Sequence, residues 1–520
     1  MSAADTTTLG RRELLAGVAA VAASASVLAS LPGADVAAEV GAPGPRKRRP
    51  SNVPLYDLEV WEAADLIKRK KLSPVELAEA TLARIEAVEP TINSFANLYP
   101  AEEILAQARA AATEIARGRY RGPLHGITVG VKDIYLTAGK VTEGNSDLYR
   151  GFVPSFDATA VVRLEQAGAV IVGKTGTSEL ATATSWPARN PWDFERAAGG
   201  SSTGSATAVA ASEVMVGMGT CTGGSIRGPA ANCGLTGFKP TYGTISLYGI
   251  MPLAWSMDHA GPLVHCARDA AIVVDAIGGQ DPLDPQTRPV AGYQLTKRLD
   301  TASGAKPLRR VRVGVPVEGD YFLGVPNDDQ LTAFFAAVDV LKAQGATIVP
   351  VSTDVLLGGR LSSTSSIYDI IRSGEVAAFQ HDNLRTRPEA MSEAYRSRVA
   401  AGVLMPGHAY TQAQRVRRLW RDTILSVFDH IDVLVHPADN IATRSGGPNP
   451  PQARPSSGSK TNVWNLSGAP AVAIPTGFDS LFNMPLSMQC VAAPGRDAEA
   501  LLVADGFQRE TDFHRARPAL

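Results

Sequence analysis

The chain has 520 residues, 45% hydrophobic and 19% charged, which suits a globular protein with one large core or two smaller ones. A formal net charge of −1 removes the electrostatic reason to expect nucleic acid or an anionic membrane surface as a partner. Four cysteines (Cys221, Cys233, Cys266, Cys490) are too few for a disulfide scaffold and lack CxxC or Cys/His zinc spacing, so buried free thiols are expected, and export would allow one disulfide.

In chain order, Arg11-Arg12 precedes an Ala/Val-rich stretch that ends near Leu31, and Val36-Ala37-Ala38 offers small residues for cleavage. Residues 1–38 resemble a twin-arginine export signal, which implies a periplasmic or extracellular protein. The stretch is too weakly apolar for stable membrane insertion to be expected. Residues 39–52, with Pro43, Pro45 and Arg46-Lys47-Arg48-Arg49, read as a flexible basic linker, and 53–515 as the folded domain.

Ser73-Pro74-Val75-Glu76 is a helix start: Ser as cap, Pro at the first position, Glu at the third. Leu77, Thr81, Leu82, Ile85 and Val88 follow at helical spacing. A second helix is expected over 101–117, then a short strand over 126–131 that ends at Lys132-Asp133, a helix over 159–167 and a buried strand over 169–172. A Gly/Ser loop over 199–205, a small-residue helix over 206–212, a strand over 214–218 and a turn at Gly223-Gly224 come next. The stretch 290–430 reads as mostly helical, and 432–435, 471–475 and 485–490 as late strands. This alternation implies an α/β protein with a parallel or mixed sheet.

The chemistry concentrates in Gly199-Gly200-Ser201-Ser202-Thr203-Gly204-Ser205 and Gly219-Thr220-Cys221-Thr222-Gly223-Gly224-Ser225-Ile226-Arg227. Both place serines on glycine-rich backbone, where amide N–H groups can turn toward an oxyanion. A serine nucleophile needs a base, and no histidine lies in or beside either segment. Lys132, at the end of an apolar run, is a candidate, since burial can hold a lysine neutral. Packing or hydrogen bonding is expected of His125, His259, His265 and His436.

From Gly199 to Lys239-Pro240-Thr241-Tyr242-Gly243, this sequence resembles the amidase signature family. Further likenesses are Gly122-Pro123-Leu124-His125-Gly126 through Lys132-Asp133, Asn190-Pro191-Trp192-Asp193, the stretch 258–262, and Asn465-Leu466-Ser467-Gly468-Ala469-Pro470. The resemblance implies a single α/β domain with a mixed central β-sheet wrapped by helices on both faces. It also implies a Ser–cis-Ser–Lys triad: Ser225 as nucleophile, Ser201 behind a cis peptide as relay, Lys132 as base. Backbone N–H groups among Thr222, Gly223, Gly224 and Ser225 would hold the oxyanion, Ala181 would border the substrate, and Ser202, Cys221 and Arg227 would support the site. The implied substrate is a small-molecule or peptide amide, with no metal or organic cofactor and no nucleic acid, and a homodimer is allowed. An ester or carbamate hydrolase with the same triad and an impaired binding or assembly member are the other readings.

Three departures stand against the family pattern. Cys221 replaces the usual Asp, so Arg227 is expected to find another carboxylate or solvent. Thr203 replaces a common Gly, and the stretch 174–192 is short. A competing motif, Gly168-Ala169-Val170-Ile171-Val172-Gly173-Lys174-Thr175, fits the phosphate-loop pattern, but its variable residues are themselves the apolar strand, which argues against nucleotide binding.

Overall fold

The computed structural model describes residues 53–290, 292–302, 304, 306–316, 328–352, 361–438 and 461–520, so the expected signal and linker lie outside the described residues. Helices α1 (Val60–Lys68) and α2 (Pro74–Ile92) lead into strand β1 (Phe95–Leu98). Helix α2 begins where its start signal places it. Val75 N donates to Ser73 Oγ (3.2 Å) and Ser73 N to Glu76 Oε2 (2.7 Å), closing a capping box around Pro74. Its buried face includes Leu77, Thr81, Ile85 and Val88, and Asn93 in the left-handed region stops it.

Next come α3 (Ala101–Ala116), β2 (Thr128–Lys132), α4 (Thr159–Gln166), β3 (Val170–Thr175), α5 (Thr203–Ala210), β4 (Val216–Thr220), α6 (Arg227–Asn232), β5 (Thr236–Lys239), β6 (Ala260–Val264) and α7 (Ala267–Ile277). Helix α5 starts at Thr203 rather than at 206, because Thr203 Oγ1 donates to Gly199 O (2.9 Å) and ties the loop to the first turn. The middle holds α8 (Leu295–Thr301), β7 (Arg312–Pro316), α9 (Asp328–Ala343), β8 (Thr347–Val351), α10 (Leu361–Thr386), α11 (Glu393–Leu404) and α12 (Gly407–Leu425). It is mostly helical, as expected, but it also supplies two strands that the sequence pattern did not reveal. The chain closes with β9 (Val433–Pro437), α13 (Asn462–Leu466), β10 (Ala471–Phe478), β11 (Pro485–Ala492) and α14 (Asp497–Glu510).

All these strands join one 11-stranded sheet in the order β1-β3-β2-β4-β6-β5-β10-β11-β9-β7-β8. Strand β2 is parallel to β3 and β4, and β7 to β8 and β9, while the remaining pairs are antiparallel, so the sheet is mixed. Every residue of β2, β3, β4, β6, β9 and β11 is buried, which requires cover on both faces of the sheet. The parallel register of β2 and β4, with Val131 opposite Met218, brings Lys132 and Thr220 to the same carboxyl edge. In open α/β sheets, ligands bind outside such edges.

Candidate active site

Lys132 ends β2 and is fully buried. Its Nζ lies 2.8 Å from Ser201 Oγ, 3.0 Å from Ser202 Oγ and 2.9 Å from Thr220 Oγ1. No carboxylate lies within ion-pair distance of it among the described residues. Burial pushes its ammonium down to about 7, against the opposing pull of Cys221 and Asp258. Three hydroxyls therefore surround an amine that is close to half neutral at neutral pH.

The serine loop is fixed from both sides. The Gly200–Ser201 peptide bond is cis, as the resemblance implies. Ser178 N donates to Ser201 O (3.0 Å), and Ser202 Oγ donates to Thr220 O (3.2 Å), joining the loop to the end of β4. Gly219 is required here, since a Cβ would press on Ser202 Oγ and on Leu263.

Ser225 is half-buried, unlike Lys132, and lines a cavity of about 370 Å3 with Ser201, Gly200, Gly223, Gly224, Ala181, Thr461 and Asn462. Gly224 has φ +148, and a Cβ there would fall on Thr461 Oγ1, so the turn that presents Ser225 requires glycine. Thr461 Oγ1 donates to Gly223 O (2.6 Å) and Gly228 N to Gly224 O (2.8 Å). Thr222 Oγ1 donates to Asp258 Oδ1, and the other Asp258 oxygen accepts from Leu253 N (2.9 Å) and Ala254 N (3.0 Å). The backbone around the predicted oxyanion donors is thus held before any ligand arrives.

Of the carboxylate or solvent expected beside Arg227, no carboxylate pairs with it among the described residues. Its Nη1 donates to Gln489 Oε1 (2.8 Å), and its Nη2 to Thr461 O (2.8 Å) and Asn465 Oδ1 (2.6 Å), with Cys221 Sγ 3.7 Å away. Amide and carbonyl oxygens solvate the buried guanidinium in its place. Asn465 also donates through Nδ2 to Cys221 O (2.7 Å), so one side chain spans the guanidinium and the strand end. Burial pushes the Cys221 thiol up, but the charges of Arg227 and Lys239 outweigh it and leave the thiol below its ordinary value. Cys221 is fully buried and does not line this cavity, so its thiol is not placed to attack a substrate there. All four cysteines are buried free thiols.

The phosphate-loop reading fails as expected. Gly173, Lys174 and Thr175 are ladder residues of β3, and Lys174 Nζ is buried against Tyr135 O, Thr142 Oγ1 (2.7 Å) and Asp133 (3.7 Å). Three of the histidines serve packing and hydrogen bonding: His259 Nδ1 meets Met257 O (2.7 Å), His436 accepts from Trp464 Nε1 (2.9 Å), and His125 accepts from Arg121 N (3.1 Å). No Asp/Glu/His/Cys group able to hold a metal occurs among the described residues.

Sequence reasoning missed Thr220, Thr461, Gln489 and the cavity-lining Tyr368, Arg372 and Arg398, and gave Asn465 and Asp258 no role. Thr461 and Gln489 lie more than 200 residues from the partners they hold. Thr220, Asp258 and Asn465 lie inside segments resembling the family and carried a usable signal.

The Amidase family profile matches residues 76–501. The glutamyl-tRNA(Gln) amidotransferase A subunit from Carboxydothermus hydrogenoformans is 36% identical, over 90% of this chain and 100% of its own length. Among solved structures, the native peptide amidase from Stenotrophomonas maltophilia superposes with TM-score 0.78 at 28% identity, over 90% of this chain and 99% of that one. A vestigial protein complex tied to the origins of an s-triazine catabolic enzyme gives TM-score 0.79 at 31% identity, over 89% of this chain and 100% of that one.

Proposed function

The chain belongs to the Amidase family, and from that premise we propose that it cleaves amide bonds of small molecules or peptides with Ser225 as nucleophile, Ser201 as proton relay and Lys132 as base. The observation that carries this reading is the buried Lys132 amine, 2.8 Å from Ser201 Oγ, at a cavity that Ser201 shares with the half-buried Ser225. Neutral Lys132 draws a proton through Ser201 from Ser225 as its Oγ attacks the substrate carbonyl. Backbone N–H groups among Thr222, Gly223, Gly224 and Ser225 receive the oxyanion. The relay returns the proton to the leaving amine as the C–N bond breaks. Water then attacks the acyl-enzyme by the same route, releasing the acid and restoring the Ser225 hydroxyl.

Arg372 and Arg398 line this cavity, and Arg398 Nη1 donates to Thr182 Oγ1 (2.6 Å). Arg372 is paired with Asp369 (2.8 Å), so it is the charge of Arg398 that favours a substrate with an anionic group. Residues 1–38 direct the protein out of the cytoplasm by the twin-arginine route, a reading that rests on Arg11-Arg12 and the small-residue cleavage site.

Purified protein assayed on matched amide, ester and carbamate substrates tests the reading. Amide turnover is expected to disappear in Ser225→Ala and to fall by roughly 10³-fold in Lys132→Ala. Unchanged turnover in either variant overturns the triad, and ester or carbamate rates far above the amide rate would move the assignment to those bonds. The name of the 36%-identical relative favours a second reading, one component of a multi-protein amidotransferase. In that case the purified chain alone hydrolyses none of the panel.

A further inference from the structure

A second cavity of about 590 Å3 shares no lining residue with the one that holds Ser225. One wall is helix α12, which presents Gln414, Arg417, Arg418 and Arg421 at positions i, i+3, i+4 and i+7, a single helical face. Arg288 faces them from a loop, and Thr241, Tyr242, Ser256, Ser467 and Gly468 complete the polar lining. Four guanidinium groups thus share one cavity, and none of its lining residues is an Asp or Glu.

These arginines are not used equally by the fold. Arg417 is structural: Nε donates to Leu466 O (2.9 Å), Nη1 to Ser256 Oγ (3.0 Å) and Nη2 to Ser256 O (2.9 Å), which fastens α12 to the cavity floor. Arg288, Arg418 and Arg421 make no side-chain hydrogen bond and no ion pair among the described residues. Two carboxylates beside the cavity are hydrogen-bonded elsewhere, although the Arg288 charge acts on Asp497, and Asp422 follows Arg418 by one helical turn. Asp497 accepts from Thr241 N (2.7 Å) and Thr241 Oγ1, and Glu375 accepts from Tyr410 OH (2.9 Å) and Ser256 N (3.0 Å). The Arg288 guanidinium lies against Gly495, where a Cβ would collide with it, so the backbone makes room for this side chain. Like charges three and four residues apart on a helix repel, and the charge of Arg421 adds to burial in lowering Arg417 below the ordinary guanidinium range, with Glu375 opposing.

We propose that this cavity is a second ligand site, built for a compact multivalent oxyanion of the di- or triphosphate kind. Guanidinium forks pair bidentately with phosphate oxygens, and three forks without a hydrogen-bonded partner among the described residues, around one cavity, match a ligand with several charged oxygens. The volume falls within the usual range for a small-molecule site.

The test is calorimetric titration of the purified chain with inorganic pyrophosphate at fixed ionic strength, with citrate as a parallel arm. Arg418→Gln combined with Arg421→Gln is the variant of choice, since both side chains are exposed and leave the Arg417 anchor in place. One saturable pyrophosphate site is expected, weakened by about tenfold or more in the double variant, with unfolding temperature and amide turnover unchanged. Absence of saturation up to about 10 mM, or equal binding by the double variant, overturns the site. Tighter binding of citrate than of pyrophosphate overturns the phosphate assignment.

Discussion

In the proposed mechanism the single residue on which the chemistry turns is Lys132. A lysine acts as a base only when neutral, and its amine is pushed down to about 7 by burial. The sign follows directly. Below this value the ammonium dominates and the base is absent, so kcat/KM should rise about tenfold per pH unit up to about pH 7 and level off above it. A pH–rate profile measures this, and a profile flat from pH 5 to about 9 would contradict a lysine base. Cys221 carries a second prediction. Its thiol lies 3.7 Å from the buried Arg227, in a field already favourable to negative charge. Cys221→Asp should therefore supply a charge-assisted partner and stabilise the fold by about 1–2 kcal/mol, read by thermal unfolding. A third concerns Arg398, which borders the cavity of Ser225. Arg398→Ala should raise KM for carboxylate-bearing amides by about tenfold and leave neutral amides nearly unchanged, the loss of one charge-assisted contact.

At the scale of the elements, the legible signals were local ones. The capping box of α2, the apolar runs of β2 and β3 and the glycine-rich turns beside Ser201 and Ser225 each act within a few residues, and each appears where the sequence places it. Strands β7 and β8 do not stand out in the sequence, although Val311-Arg312-Val313-Gly314-Val315 alternates, because helical segments dominate their surroundings. The partners of Arg227 were illegible for a different reason. Gln489 reaches it from β11 and Asn465 from α13, and only tertiary packing joins those elements to α6. The phosphate-loop look-alike shows the same lesson in reverse, since Lys174 is a core residue hydrogen-bonded to Tyr135 O and Thr142 Oγ1 with Asp133 as its ionic partner. Lys174→Ala should leave that buried carboxylate with only the Glu143 and Gly144 backbone N–H groups and no cation, and cost about 3–5 kcal/mol in a denaturant titration. A loss below about 1 kcal/mol would mean that the pair is not structural.

At the scale of the whole molecule, the cavity of Ser225 lies beyond the carboxyl edges of β2 and β4, and the arginine-lined cavity lies against α12. Short helix α13 touches both, with Asn462 lining the first and Leu466 the second. No helix among the described residues is long and apolar enough to cross a membrane. The proposed export rests on residues outside that description, so it is tested in the cell: replacing Arg11 and Arg12 with lysine should leave the protein unexported, as fractionation would show. The most direct test of the central claim is labelling with a fluorophosphonate, followed by mass spectrometry of the digested protein. The account predicts one adduct, on Ser225, formed faster as pH rises through about 7 and slowed at least about a thousandfold in Lys132→Ala. An adduct on Cys221 or another residue, or unchanged labelling in Lys132→Ala, would contradict it.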